Sequence, residues 1–230
     1  MTQRRVLVVG ATKGLGLALV EQYLNGGWAV AATTIEPSAG LAQLAADHPE
    51  KLSVHPLDIT DPAGIRAVRE ALDGLELDVL HIVSGILPSE DLPIWEYADD
   101  QVLKVLNINA FAALHLATCM EPLVRKGGLF AFTSSGMGSM SRNDRGGADL
   151  YRISKAALNM LVRSFAATRA GPDRTVLLIC PGWVKTDMGG PEATVEVADS
   201  VAGIYRLICE ARPGGEPASF VEYSGDRVPW

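Results

Sequence analysis

The sequence is poor in cysteine, and its cysteines follow no recognisable framework. Cys119, Cys180 and Cys209 are the only three in 230 residues, an odd number scattered through the second half of the chain. Their spacing suits neither a metal site nor a set of disulfides. The sequence therefore predicts no metal and a reducing compartment, which we take to be the cytoplasm.

The chain also lacks a run rich in lysine and arginine, and its formal net charge is −7. Both features weigh against a nucleic-acid partner. No apolar run approaches the roughly 20 residues that a membrane span needs. A first strand that begins at Arg5 leaves no room for a signal peptide ahead of it. We therefore expect neither a nucleic-acid partner nor a membrane segment.

No linker, repeat or low-complexity stretch divides the sequence. A length of 230 residues suits one α/β domain, and 48% hydrophobic residues supply ample core material. Segments typical of strands and of helices alternate along the whole chain, which specifies a parallel sheet covered on both faces. We predict a single-domain, Rossmann-type doubly wound α/β fold with a parallel sheet of about seven strands.

Short apolar runs rich in β-branched residues predict the strands. They lie at Arg5–Val9, 28–33, 52–57, 79–83, 129–133, Thr175–Cys180 and Ser219–Glu222. Helical patterns cover residues 17–24, 61–72, about 97–125, 151–170 and about 195–210. The fifteen or so residues before Tyr151 are predicted to form a long loop, and unstructured loops of that length are usually functional.

The first strand runs directly into a glycine loop, Gly10-x3-Gly14-x-Gly16, and then into a helix. Glycines let the backbone approach a pyrophosphate, and a helix N-terminus supplies oriented N–H groups. The spacing differs from the commoner Gly-x-Gly-x-x-Gly. Glycines also serve ordinary turns, but the order of strand, loop and helix favours nucleotide binding.

The end of the second strand bears on the choice of nucleotide. An acid there would bind the adenosine ribose and select NAD, but the residues are Thr33, Thr34 and Ile35, and the first carboxylate is Glu36. Lys13 could instead meet a 2′-phosphate, although it could equally be a solvated loop lysine. The pattern favours NADP(H), with NAD(H) as the alternative.

Asp58 stands at the carboxyl end of the third strand, where open α/β sheets bind ligands. It could face the adenine amino group. It could also simply cap the turn before Thr60-Asp61-Pro62. Position alone does not decide between the two.

Tyr151 and Lys155 open the longest apolar-periodic run and stand four residues apart, so a helix places them on one face. A nearby cation favours the phenolate and lowers the pKa of a tyrosine, ordinarily about 10. Such a pair can donate and accept a proton, although the same spacing occurs by chance on solvated helices. Asn107 and Asn109 lie within an apolar helical stretch, where a buried amide needs partners.

These residues together resemble the short-chain dehydrogenase/reductases over essentially the whole chain. The glycine loop, Asp58, Asn109, Ser135, the Tyr151-x3-Lys155 pair and Pro181-Gly182 occur in that family's order. Longer motifs are similar to the C-factor-like carbonyl reductases. They are Ser134-Ser135-Gly-Met-Gly138-Ser139, Tyr151-Arg-Ile-Ser-Lys-Ala-Ala-Leu-Asn159-Met160, Pro181-Gly-Trp-Val-Lys-Thr-Asp-Met-Gly-Gly190, and Tyr223-Ser-Gly225 with Pro229-Trp230.

The resemblance implies that residues 1–230 form one dinucleotide-binding and catalytic domain. It would transfer a hydride between NADP(H) and a small-molecule carbonyl or alcohol. Tyr151 would be the acid/base, and Lys155 would lower its pKa and bind the nicotinamide ribose. Ser135 would bind the substrate oxygen, and Asn109 would hold a water that relays protons to Lys155.

The resemblance also implies the cofactor contacts and the assembly. Asp58 would bind the adenine, and Val184 and Thr186 would bind the nicotinamide carboxamide. The full set is Gly10, Thr12, Lys13, Gly14, Leu15, Gly16, Thr34, Asp58, Ile59, Ser84, Gly85, Tyr151, Lys155, Pro181, Gly182, Val184 and Thr186. Relatives pair through the helices that hold Asn109 and Tyr151, which implies a homodimer or homotetramer.

The sequence departs from the family's pattern in three places. The segment 82–85 reads Ile-Val-Ser-Gly where the family has Asn-Asn-Ala-Gly, whose amides brace sheet and cofactor. Ile35 replaces an arginine frequent in NADP-dependent relatives. Cys180 replaces a histidine and is interpreted as a small buried apolar residue. Ser134 is a second candidate for the role of Ser135, but Gly138, three residues on, aligns better with Ser135.

A different class of function also fits the fold, because fold alone does not fix activity. The alternative is a non-catalytic dinucleotide-binding sensor or signalling protein. The loop 136–150, the segment 188–194 and Trp230 are expected to shape the substrate pocket. Arg142 with its neighbours could reach a polar substrate or form a solvated loop.

Overall fold

The computed structural model describes residues 3–88, 91–214 and 216–230. Ser89 and Glu90, in the Pro- and acid-rich loop, lie outside the described residues. The strands are β1 (Arg5–Val9), β2 (Ala29–Thr34), β3 (Leu52–Pro56), β4 (Leu77–Ile82), β5 (Val124–Thr133), β6 (Thr175–Cys180) and β7 (Ser219–Glu222). They form one parallel sheet in the order β3-β2-β1-β4-β5-β6-β7. The predicted doubly wound fold of seven strands is confirmed.

Seven α-helices connect the strands within the described residues. They are α1 (Gly14–Asn25), α2 (Ala39–Asp47), α3 (Pro62–Ala71), α4 (Asp99–Leu106), α5 (Ala112–Met120), α6 (Asp149–Phe165) and α7 (Val197–Glu210). A π-helical turn, Asn107–Phe111, joins α4 to α5, and a second, Ala166–Ala170, extends α6.

The sheet has a hydrophobic layer on each face, which explains why its strands are apolar throughout. Side chains alternate along β1, so Leu7 and Val9 pack under α3, α5 and α6, while Val6 and Val8 pack under α1, α2 and α7. The same alternation holds in β4, β5 and β6. Continuous apolar runs are what two-sided burial requires.

The chain reverses its direction of winding between β1 and β4. From β1 it proceeds outward through β2 to β3, then returns to place β4 on the other side of β1. The loops that leave the carboxyl ends of β1 and β4 therefore diverge and open a crevice. Open α/β sheets bind their ligands at such a point.

Several predicted boundaries were wrong. The helix predicted over 97–125 ends in a short 3₁₀ turn, Glu121–Leu123, and β5 begins at Val124 rather than at residue 129. Pro122 explains the early end, because proline cannot donate the next helical hydrogen bond. The helix α2, for which no prediction was made, begins after Ser38, whose hydroxyl accepts from Leu41 N at 3.3 Å.

The loop before Tyr151 is more ordered than predicted. It contains two 3₁₀ turns, Gly136–Gly138 and Met140–Arg142. The following helix α6 begins at Asp149, after Ala148 in a left-handed conformation with φ 52°. Tyr151 therefore lies inside the first turn of the helix rather than at its start.

The expectation that no apolar run approaches the length of a membrane span was wrong for one helical stretch. Asp99–Leu123 spans 25 residues with a mean hydropathy of 1.4, which meets the length and composition of a membrane span. Core helices meet the same criteria. Here the stretch packs against α6 and α3 and carries Asn109 to the crevice.

Candidate active site

The glycine loop turns the chain from β1 into α1 with no space for side chains. Gly10 and Gly14 have positive φ angles of 91° and 56°. A Cβ on Gly16 would stand 2.1 Å from the Gly10 carbonyl oxygen. Only glycine fits this turn, and the result is bare backbone at the start of a helix.

The N-terminus of α1 is built to receive an anion. Lys13 occupies the N-cap position without any side-chain cap hydrogen bond, and the first turn holds no acidic residue. Its N–H groups thus lack a capping side chain among the described residues, and the helix dipole favours negative charge there. These donors fit a pyrophosphate, which is the group that the sequence predicts at this loop.

A hydroxyl cluster surrounds the carboxyl end of β2. Thr12 Oγ1 lies 3.0 Å from Thr34 Oγ1 and accepts a 3.3 Å hydrogen bond from Ile35 N. Ser38 Oγ donates to Thr12 O at 2.6 Å. The cluster offers neutral polar groups rather than a carboxylate at the end of β2.

Asp58 caps the turn that follows β3. Its Oδ1 accepts from Thr60 N at 2.8 Å and from Thr60 Oγ1 at 2.7 Å, while Ile59 beside it is buried. The capping interpretation therefore describes this structure. The carboxylate remains exposed at the sheet edge, and a contact from Asp58 or Ile59 to adenine stays a prediction.

Lys13 has a partner that the sequence did not predict. Its Nζ lies 2.9 Å from Asp187 Oδ2, across the crevice in the loop after β6, with the two side chains 68% and 80% exposed. The hydrogen bond raises the pKa of Lys13 and lowers that of Asp187. Solvent-exposed ion pairs contribute little to stability and exchange readily, so Lys13 can leave Asp187 and bind another anion.

Backbone atoms brace the loop after β4, where the family's two asparagines are missing. Val83 N and Ser84 N both donate to Val9 O, at 2.9 and 3.1 Å. A Cβ on Gly85 would lie 3.3 Å from Asn109 Oδ1 and 3.4 Å from Lys155 Nζ. Gly85 thus lies beside two of the predicted catalytic residues, Asn109 and Lys155.

Asn109 is completely buried in the π-helical turn and anchors that same loop. Its Oδ1 accepts from Ile86 N and its Nδ2 donates to Ile86 O, both at 2.8 Å; Nδ2 also donates to Ser154 Oγ at 3.0 Å. π-helical turns occur frequently at functional sites. The Asn109 amide therefore links the loop after β4 to α6. Its role in relaying protons stays a prediction.

Tyr151 and Lys155 project into one space, as their spacing predicts. Lys155 is buried, its Nζ lies 5.8 Å from the centre of the Tyr151 ring, and it donates to Thr133 O at 3.1 Å. Burial lowers the pKa of Lys155 to about 8. It raises the pKa of Tyr151 to about 12, against a lowering by the hydrogen bond with Ser135.

The net shift at Tyr151 is therefore opposite to the lowering expected from Lys155. Desolvation disfavours the charged form of each group, and at a distance of 5.8 Å to the ring centre the ammonium does not overcome it. A phenol with a raised pKa holds its proton at neutral pH. Such a group is suited to donate that proton rather than to accept one.

The two neighbouring serines have separate roles in the structure. Ser135 Oγ accepts from Met137 N at 3.1 Å, and its side chain interacts with Tyr151 so as to lower the pKa of the phenol. Ser134 is 1% exposed, and its Oγ donates to Asn159 Oδ1 at 2.6 Å. Ser135, and not Ser134, stands beside the tyrosine.

The loop after β6 covers the glycine loop. Pro181 O accepts from Ser200 Oγ at 2.7 Å, and Gly182 has a φ of 84°. Val184 is buried and bridged to Val195. Thr186 N donates to Val184 O at 2.8 Å, and a Cβ on Gly14 would lie 3.6 Å from Thr186 Cγ2. The predicted cofactor residues from both ends of the chain thus face one crevice.

Cys180 is buried at the carboxyl end of β6, as its interpretation as a small apolar residue requires. Its Sγ also accepts a hydrogen bond from Gly136 N at 3.1 Å, and burial raises the pKa of the thiol. All three cysteines are free, and the described residues contain no cluster of three or more His, Cys, Asp or Glu residues suited to a metal.

The residues expected to shape a substrate pocket are partly engaged elsewhere. Arg142 forms an ion pair with Glu222. The Trp230 ring lies 5.5 Å from Phe220, and its backbone oxygen accepts from Ser141 N at 3.1 Å. Trp230 therefore packs on Phe220 and holds the loop after β5 through Ser141.

Four residues of the site received no role from the sequence. Each forms a hydrogen bond with a residue that the sequence did single out: Thr133 with Lys155, Ser154 with Asn109, Asn159 with Ser134, and Asp187 with Lys13. Ser154 and Asn159 both lie inside the motif that begins at Tyr151, but the motif did not indicate which residues they would contact. Thr133 contributes only a backbone oxygen, which no sequence pattern reports.

A family model described as short chain dehydrogenase matches residues 4–196. The protein named C-signal from Myxococcus xanthus is 43% identical over 137 residues, which cover 59% of this chain and 81% of that protein.

Two solved structures are similar over the full length of both chains. A carbonyl reductase from Pseudomonas aeruginosa PAO1 in complex with NADP has a TM-score of 0.91 at 34% identity, covering 100% of each chain. A Burkholderia multivorans protein assigned to the short-chain dehydrogenase/reductases, with bound NADP, has a TM-score of 0.95 at 35% identity and the same coverage.

Proposed function

The chain belongs to the short chain dehydrogenase family, and from that membership we propose that it transfers a hydride between NADP(H) and a small-molecule carbonyl or alcohol. One observation carries the proposal. The side chain of Ser135 interacts with Tyr151, one helical turn from the buried Lys155, at the carboxyl edge of the sheet beside the glycine loop. A single domain, residues 1–230, would supply both the cofactor site and the catalytic groups.

The nicotinamide, when bound, supplies or takes the hydride. The protein then has to bind the two reactants, orient them and move one proton. A carbonyl oxygen placed between the hydroxyls of Ser135 and Tyr151 accepts a hydrogen bond from each. Tyr151, which keeps its proton at neutral pH, delivers it to that oxygen, and Ser135 stabilises the charge that develops there.

The remaining two residues of the catalytic set serve the tyrosine. Lys155 places a positive charge near the phenolate that is left after proton delivery, which favours that state. Asn109 holds the Ile86 backbone and, through Ser154, the first turn of α6, which carries Tyr151. These contacts fix the tyrosine relative to the crevice floor.

The choice of NADP(H) rests on the end of β2 and on the similar proteins. Threonine hydroxyls and Ile35 occupy the place where a carboxylate would select NAD. The two similar solved structures described above hold NADP. Lys13, paired only at the surface with Asp187, would exchange that carboxylate for the 2′-phosphate.

The assembly and location are also proposals. Exposed apolar side chains lie on the helices that hold Asn109 and Tyr151, namely Leu103, Phe111 and Met160 at 66%, 54% and 62% exposure. We propose that this surface, the Leu103–Phe111–Met160 face, pairs two copies in a homodimer or homotetramer. The free cysteines suit the cytoplasm, and no nucleic-acid or membrane partner is proposed.

The test is to incubate the purified protein with NADPH and a panel of ketones and aldehydes, and to follow consumption of the cofactor. Tyr151→Phe should lower kcat by roughly 100-fold or more, the contribution of a positioned general acid, and leave the Kd for NADPH within about twofold. A Tyr151→Phe protein that turns over as fast as the wild type would refute the assignment. Tight NADPH binding without consumption across the panel would instead support the sensor, which the assembled catalytic residues do not favour.

A further inference from the structure

Asn159 has a polar environment that the proposed reaction does not yet explain. It lies on α6 one turn beyond Lys155 and two turns beyond Tyr151, and it is 4% exposed. Ser134 Oγ donates to Asn159 Oδ1 at 2.6 Å, and Asn159 Nδ2 donates to Gly138 O at 3.2 Å. Both ends of one buried amide therefore hold a single segment, residues 134–138.

That segment carries Ser135. Its two anchored residues lie immediately before Ser135 and three positions after it, so the serine is fixed on both sides. The segment also packs tightly on α6, because a Cβ on Gly138 would stand 2.9 Å from Lys155 atoms and 3.0 Å from Asn159 Nδ2. The loop thus touches the helix at the level of Lys155, where any displacement would change the distance between Ser135 and Tyr151.

We propose that Asn159 is a positioning residue that sets the distance between the Ser135 and Tyr151 hydroxyls by clamping residues 134–138 to α6. The inference rests on the proposed function, in which both hydroxyls bind one substrate oxygen. Among the described residues, the side-chain hydrogen bonds of Asn159 go to Ser134 and Gly138, so it acts through the segment it holds. Misplacement of a catalytic group by about 1 Å can cost roughly 100-fold in rate.

Three variants separate positioning from simple stability. Asn159→Ala removes both hydrogen bonds, and Ser134→Ala removes one of them. Val162→Ala is the matched control, because Val162 is fully buried on the same helix but packs in the apolar core. Its loss should lower stability without releasing the segment.

Asn159→Ala should lower kcat by about 10- to 100-fold, with the Kd for NADPH within about twofold of wild type. The pH profile of alcohol oxidation should move to higher pH, because the Ser135 hydrogen bond lowers the pKa of Tyr151. Ser134→Ala should act in the same direction but less strongly. The double variant should be no worse than Asn159→Ala alone, since Ser134 acts through Asn159.

A kcat and pH profile for Asn159→Ala that match those of Val162→Ala would overturn the proposal and leave Asn159 a structural residue. Hydrogen exchange of the backbone amides in residues 134–139 gives a readout that needs no substrate. Faster exchange there in Asn159→Ala, but not in Val162→Ala, supports the clamp. If wild type consumes no carbonyl yet this exchange pattern appears, the proposed function has failed and the clamp has not; unchanged exchange overturns the clamp itself.

Discussion

The free energy of unfolding of the wild type should depend on pH because of Lys155, and Lys155→Met should abolish this contribution. The ammonium is buried and its pKa falls from 10.5 to about 8. Below about pH 8 the folded and unfolded states are both protonated, and the folded state bears the full cost of a buried charge. Between the two pKa values the unfolded chain binds more protons than the folded one, so stability rises with pH.

The size of this effect follows from the shift. A difference of about 2.5 pKa units corresponds to about 3 kcal/mol, and roughly 2 kcal/mol of it develops between about pH 7 and pH 10. Tyr151 and Cys180 act in the opposite direction above their ordinary pKa values, because burial raises theirs. The difference between wild type and Lys155→Met cancels these shared contributions.

The assay is urea unfolding of both proteins, without cofactor, at a series of pH values. The stability of wild type relative to Lys155→Met should increase by roughly 2 kcal/mol from about pH 7 to pH 10. Lys155→Arg is a useful control, because a guanidinium stays charged throughout this range and should show no such rise. A difference between wild type and Lys155→Met that stays flat with pH would mean that the ammonium is solvated, and would refute its burial in a low-dielectric site.

Two further predictions concern the cofactor and the assembly. Lys13→Ala should raise the Kd for NADPH about tenfold, the effect of losing one hydrogen bond to a charged group, and leave the Kd for NADH unchanged; equal effects on both would contradict a 2′-phosphate contact. Leu103→Glu should convert a homodimer into monomers in sedimentation experiments, because it places a charge on the Leu103–Phe111–Met160 face. Met140→Glu, a change to a similarly exposed side chain in the loop after β5, should not; a wild-type monomer would disprove the interface.

The sheet was predictable because two-sided burial leaves a simple signal. Thr175–Cys180 and Ser219–Glu222 have the predicted bounds, and β1 does as well. Helices were harder, since their limits depend on single residues. Pro122 ends the long helical stretch, and Ser38 begins α2, yet neither stands out against the apolar pattern around it.

The candidate site was predictable where a side chain has a motif and not where backbone or distant residues contribute. The spacing of Tyr151 and Lys155 placed them together correctly, but the direction of the shift at Tyr151 depends on burial, which spacing does not report. The pairing of Lys13 with Asp187 joins residues far apart in the chain. Only the three-dimensional fold brings them within reach of each other.

The π-helical turn Asn107–Phe111 adds one residue to what would otherwise be a continuous helix, since Ala112 N bonds to Asn107 O five positions back. One extra residue rotates everything beyond it by about 100° relative to a regular helix. A homologue with one residue fewer in this turn could keep α4 and α5 packed but would point its asparagine away from Ile86 and Ser154. A one-residue gap here in an alignment would therefore mark chains in which the asparagine serves a different purpose.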